Sequence, residues 1–115
     1  MKATLKLQYP YFNAELVAYK DEAPPAEQTA PDGYNLLASY AYDGGMAFFN
    51  IYSKYQQTVT SMELLDGFDI PAETGILVIQ GNMYAKGQYV GALDYIKPQT
   101  TGFQIEGEAI GFLVH

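Results

Sequence analysis

The chain has 115 residues, with thirteen acids against six lysines, no arginine and a formal net charge of −7. That sign of charge, without arginine's bidentate fork for phosphate, argues against a nucleic-acid binder or a protein of anionic membranes. With no cysteine, disulfides and thiolate metal sites are excluded. The length fits a single domain over residues 1–115, large enough for a core without covalent staples.

The N-terminal segment "MKATLKLQYPYF" has Lys6, Gln8 and Pro10 interrupting any apolar run, so it does not read as a signal peptide. Together with the missing cysteines this predicts a cytoplasmic protein. Within it "TLKLQY" (Thr4 to Tyr9) alternates, with Leu5, Leu7 and Tyr9 on one face, and predicts a strand. "FNAELVAY" (Phe12 to Tyr19) predicts a second strand, with Pro10 as the bend between them.

Residues 20–33, "KDEAPPAEQTAPDG", hold three prolines and four acids and no aliphatic side chain larger than alanine. A loop of this length inside a small domain is uncommon, and such loops tend to be functional or disordered. It is expected to be mobile and to present Asp21, Glu22, Glu27 and Asp32 to a partner.

"YNLLASYAY" and "MAFFNIYSKY" flank Asp43-Gly44-Gly45, residues that tolerate the positive φ of a tight hairpin. Both faces of this pair are fairly apolar, which places the hairpin near the middle of a sheet. Its aromatic residues read as cross-strand packing. "TVTSMELL" (Thr58 to Leu65) is a further strand. Asp66 to Gly75 reads as a turn-rich connection with a short helical turn after Pro71. "ILVIQ" (Ile76 to Gln80) reads as a buried strand, far too short to span a membrane. Lys86-Gly87 marks a turn, and Tyr89, Gly91, Leu93 and Tyr95 alternate after it. In "FQIEGEAIGFLVH" the apolar phase slips near Gly107, as a β-bulge would produce. No helical stripe appears anywhere. The pattern is all-β: a single antiparallel β-sandwich, with a β-barrel as the alternative, of about eight or nine strands.

Catalytic chemistry finds little support. His115 is the only histidine and is terminal. Ser39, Ser53 and Ser61 lack a nucleophile-elbow context, and "AKGQ" is not a phosphate-binding loop. Glu106 and Glu108 are spaced to share a strand face, but a bulge at Gly107 would part them, and a solvated face is the simpler reading. Asp21, Glu22, Asp32, Asp66 and Asp69 lie in turns and have calcium-type oxygen chemistry, yet match no EF-hand pattern. No catalytic residue, cofactor or metal is expected.

Two stretches carry a family resemblance. "YFNAELVAYKDEAPP" followed by "ASYAYDGGMAFF", and "AKGQYVGALDYI", together resemble competence protein J, a family of small acidic bacterial inhibitors of a DNA-entry nuclease. The resemblance covers about Leu7 to Ile96; beyond Lys97 the chain continues into a further strand pair. It implies a non-catalytic inhibitor or immunity-type partner of a basic protein such as a nuclease. Charge leads independently to a cationic protein partner, because an acidic domain is steered toward one. The acids expected to meet it are Asp21, Glu22, Glu27, Asp32, Asp43, Asp66, Asp69 and Glu73. Two other readings stand beside this one. One is a structural or self-assembling β-protein, phage or capsid-associated, in which apolar strands drive homo-oligomer formation. The other is a glycan-binding module using exposed tyrosines.

Overall fold

The computed structural model describes all 115 residues. Strands take 58% of them and the only helical element is a three-residue 3-10 turn, so the chain is all-β and antiparallel, as its alternation predicts. Ten strands form, and the chain divides into two compact units, residues 1–57 and 58–115.

The first unit is a four-stranded sheet of β1 (Lys2–Tyr9), β2 (Phe12–Tyr19), β3 (Asn35–Tyr42) and β4 (Ala47–Ser53), in the order β1-β2-β4-β3. Pro10 and Tyr11 turn β1 into β2, with Tyr9 opposite Phe12. Asp43, Gly44 and Gly45 all have positive φ and form the 3-10 turn between β3 and β4, which is why two glycines follow the aspartate. The hairpin is not central as a whole. β4 pairs on both sides, but β3 is the sheet's edge and its residues are half-buried or exposed. The aromatic content of β3 goes into ring packing such as Tyr40 on Tyr42, centroids 5.1 Å apart, which keeps apolar surface dry without a second neighbouring strand.

The second unit contains β5 (Val59–Leu64), β6 (Asp69–Ile70), β7 (Gly75–Ala85), β8 (Gln88–Val90), β9 (Tyr95–Ile96) and β10 (Phe103–Val114). The sheet runs β5-β10-β7-β8, with β6 added on β10 and β9 on β7. One face of β10 gives Ile105, Ala109 and Leu113 to a core with Leu64, Ile70, Ile76, Val78, Met83 and Val90. Each fully buried aliphatic side chain there stabilises by roughly 1.5–3 kcal/mol relative to exposure.

Several local expectations are corrected. The strand begun at Ile76 does not stop at Gln80 but continues through Gly81 to Ala85. No helical turn follows Pro71; Ala72 and Glu73 form a turn, and the Glu73 N–H donates to the Gln99 carbonyl at 2.7 Å. The alternation after Tyr89 is broken because the Asp94 carboxylate accepts the Gly91 N–H at 2.9 Å and closes a turn there. The register shift lies at Ile110/Gly111, not at Gly107, with Ile79 of β7 as the unmatched residue. The apolar pattern slips without a bulge at Gly107, because the first half of β10 is buried on one face and the second half on both.

Gly111 leaves no room for a side chain: a Cβ there would lie 2.7 Å from the Leu77 carbonyl oxygen and 3.2 Å from Leu64 Cδ1. Gly111→Ala is therefore expected to destabilise by about 1–3 kcal/mol, read as a lowered urea midpoint at unchanged slope. An unchanged midpoint would show that the two strands can separate there at no cost.

Burial, and then the neighbouring Tyr40, push the Tyr42 hydroxyl up to about 12. Burial also raises Tyr52 and Tyr95. A raised phenol favours the protonated folded state, so this contribution is complete below the ordinary tyrosine value near 10 and is lost as pH climbs toward 12. Tyr42→Phe should accordingly make stability fall less steeply with pH across that window, measured by denaturant titration. A slope identical to the parent's would remove Tyr42 from the alkaline transition.

Candidate functional site

Val17, Asn50 and Tyr52 share one face of the first sheet and are buried there. The segment 20–33 crosses that face. The Asn50 amide donates to Gln28 Oε1 at 2.9 Å and its carbonyl accepts from the Ser39 hydroxyl at 2.5 Å. Gln28 Nε2 in turn donates to the Tyr19 hydroxyl at 3.4 Å, and Tyr34 packs edge-on to Tyr52 at 5.4 Å. The loop expected to be free is thus tied at its centre, because a buried asparagine must be satisfied and Gln28 satisfies it. Pro24, Gln28 and Ala30 are half-buried, while Asp21, Glu22, Glu27 and Asp32 are exposed.

The loop acids do not form one patch. Asp21 and Glu22 leave the end of β2 where the Tyr19 N–H donates to the Met46 carbonyl, so they share an end of the sheet with Asp43. The N-terminal ammonium lies there too, 3.9 Å from Glu22 in the sole ion pair. Glu27 lies at the middle, beside Gln28, and Asp32 lies toward the other end, where Lys54 Nζ stands 5.1 Å from the Tyr34 ring.

The second unit concentrates charge more strongly. It has two lysines against seven acids, net −5, while the first has four against six, net −2. Register puts much of this on one face. Glu106 and Glu108 stay in phase, opposite Tyr84 and Asn82 of β7. Asp69 lies opposite Gln104 and Glu63 opposite Ile110, which places both on the same face as the glutamates. Tyr84 pairs with Tyr89 of β8, and their rings meet edge-on at 5.7 Å with 48% and 56% of each residue exposed. No lysine occupies any of these positions. Asp66 instead ties its turn to β10. Its Oδ1 accepts the Gly107 N–H at 2.9 Å and fixes the approach to β6. Glu73 is exposed on its own turn, at φ +62°.

Of the acids expected to meet a partner, the structure places Asp69 on this face, which it shares with Glu63, Glu106 and Glu108. The sequence reading does not include Glu63, Glu106, Glu108, Tyr84 or Tyr89 among the partner-facing residues, and takes Glu106 and Glu108 as a solvated face. Parity puts Glu63, Tyr84, Glu106 and Glu108 on the outward side of their strands, but the pairing that unites them is non-local. No group of three or more His, Asp or Glu is arranged to hold a metal ion, and His115 is engaged through its backbone with Thr58. No helix is long and apolar enough to cross a membrane.

No family model matches the chain, and neither a curated protein nor a solved structure matches it.

Gln28→Ala should leave the buried Asn50 amide unpaired, at a cost of about 1–3 kcal/mol. It should also accelerate cleavage by a glutamate-specific protease after Glu22 and Glu27 at constant global fold. Unchanged cleavage would show that the loop is held by its prolines and not by Gln28.

Proposed function

We propose that the protein is a non-catalytic binding module for a basic protein surface, with the β10–β7–β8 face of the second unit as its main contact. The observation that carries this reading is that Asp69, Glu63, Glu106 and Glu108 lie on the same face of the sheet as the exposed Tyr84–Tyr89 pair, with no lysine among them. The carboxylates supply steering and discrimination against anionic partners. The tyrosines supply contact area at small entropic cost, as anchors at interfaces do. Every acid in the chain except Glu15 is exposed, and one ion pair is all that offsets them internally, so the charge is available to a partner.

The resemblance to competence protein J favours a nuclease as that partner and inhibition as the outcome. An inhibitor of this kind needs only to occupy a basic cleft; it needs no reacting group. The acidic loop at 20–33 is then a secondary contact, or a separate one.

The test begins with affinity capture from the host and identification of the retained proteins. Association of the purified partner is then followed over a range of salt. Glu63→Gln with Glu106→Gln and Glu108→Gln should slow association by about tenfold at low salt and flatten its salt dependence. Neutralising Asp21, Glu22, Glu27 and Asp32 instead should have the smaller effect. A partner that is itself acidic, or a rate insensitive to salt and to the triple substitution, would overturn the reading.

A further inference from the structure

The first unit has a cleft of about 350 Å³ that acidity does not explain. Its walls include Tyr9, Tyr11, Tyr34 and Tyr55, with Asn13 and Lys54. Tyr11 and Tyr55 are 73% and 61% exposed, and their rings meet edge-on at 6.0 Å. Rings this exposed would ordinarily be mobile, but both backbones are fixed from beneath by one hydroxyl. Ser53, itself buried, donates through Oγ to the Tyr11 carbonyl at 2.7 Å and accepts the Tyr55 N–H at 2.9 Å. Gln57 Nε2 donates to the same Tyr11 carbonyl at 2.6 Å. Tyr11 itself is held at φ +68°, a left-handed conformation that a side chain rarely adopts. Strain of this kind, held in place by a buried network and used to present an aromatic ring, is characteristic of binding sites.

The chemistry of the walls narrows the ligand. No carboxylate lines the cleft, although the protein has thirteen acids, and Lys54 is its one charge. The phenols and amides of the walls both donate and accept, and Lys54 is the one group that only donates. A matching ligand offers flat apolar faces to the tyrosine rings and an acceptor to Lys54. A saccharide is the competing match, and the test below separates the two. A proline-rich peptide has ring surfaces for tyrosine faces, carbonyl acceptors, and no N–H at its prolines. It is also extended before it binds, so it loses little entropy on docking in an aromatic-lined groove. We infer that this cleft binds an extended proline-rich peptide segment, with an acidic residue of that peptide opposite Lys54. The site is independent of the acidic face in the second unit.

The probes are a decaproline peptide and the same peptide with one central glutamate, titrated into the full chain by calorimetry and by amide NMR. The glutamate peptide is expected to bind saturably with Kd below about 1 mM and to shift the signals of Tyr11, Lys54 and Tyr55. Tyr11→Ala and Tyr55→Ala should each weaken it about tenfold or more, whereas Tyr55→Phe, which keeps the ring, should bind nearly as the parent. Lys54→Gln should reduce the glutamate peptide to the affinity of plain decaproline and leave the latter unchanged. Dispersed amide spectra of the alanine variants guard against loss of fold. No saturable shift with either peptide would overturn the inference, and so would tighter binding of cellohexaose or chitohexaose at the same tyrosines.

Discussion

The antiparallel pairing of β10 with β7 is the constraint on which the proposed contact surface depends. It runs from Ile105 opposite Ala85 to Val114 opposite Gly75, with one residue of β7 left over at Ile79. Side chains alternate strictly across a strand, so a slip of one residue would send Glu106 and Glu108 into the core and expose Ile105 and Ala109. The burial of Ile105, Ala109 and Leu113 against Met83 and Val78 therefore selects the register that unites the glutamates with Tyr84. Packing on one face decides electrostatics on the other. Gly111 permits this where a Cβ would meet the Leu77 carbonyl oxygen, and the Asp66 carboxylate on the Gly107 N–H ties the turn before β6 to β10.

The first unit depends on two buried polar side chains. Asn50 and Ser53 lie on β4, the strand paired on both sides, and each turns a neighbouring segment into structure. Asn50 gathers Gln28 and Ser39; Ser53 gathers Tyr11 and Tyr55. Buried polar groups cost little when every partner is present and much when one is lost, which makes both positions sensitive to substitution. They also explain why an asparagine interrupts, and a serine ends, a strand that otherwise reads Phe-Phe-x-Ile-Tyr.

Electrostatics and assembly pull in different directions. A net charge of −7 with almost no internal ion pairing costs some stability through self-repulsion and keeps copies of the chain apart. The outer edge of β1 would otherwise invite strand addition, since Leu5 is exposed there, but Lys2 and Lys6 on the same strand are the usual guards of such an edge. Charge is thus placed where it opposes self-association.

Composition and alternation are enough for the all-β class, the hairpin at Asp43-Gly44-Gly45, the turn at Lys86-Gly87 and the extent of the loop at 20–33, because each rests on local backbone preference or on period-two patterning within one strand. The acids are equally legible as acids. Their grouping is not. Glu63, Asp69, Glu106 and Glu108 come from three strands, and only β-pairing across long sequence separations brings them to one face. The same holds for the tyrosine cleft, whose walls come from the Pro10–Tyr11 turn, Tyr34 and the segment after β4. The true register shift at Ile110/Gly111 is hidden because a strand buried on both faces loses the alternation from which register is read. Gln28 looks like one more polar loop residue, and only the burial of Asn50, a tertiary fact, supplies its partner. Local elements and the charge they carry thus follow from the order of residues along the chain. Which side chains meet follows instead from the folded molecule, because that is set by pairing and burial between segments far apart in the chain.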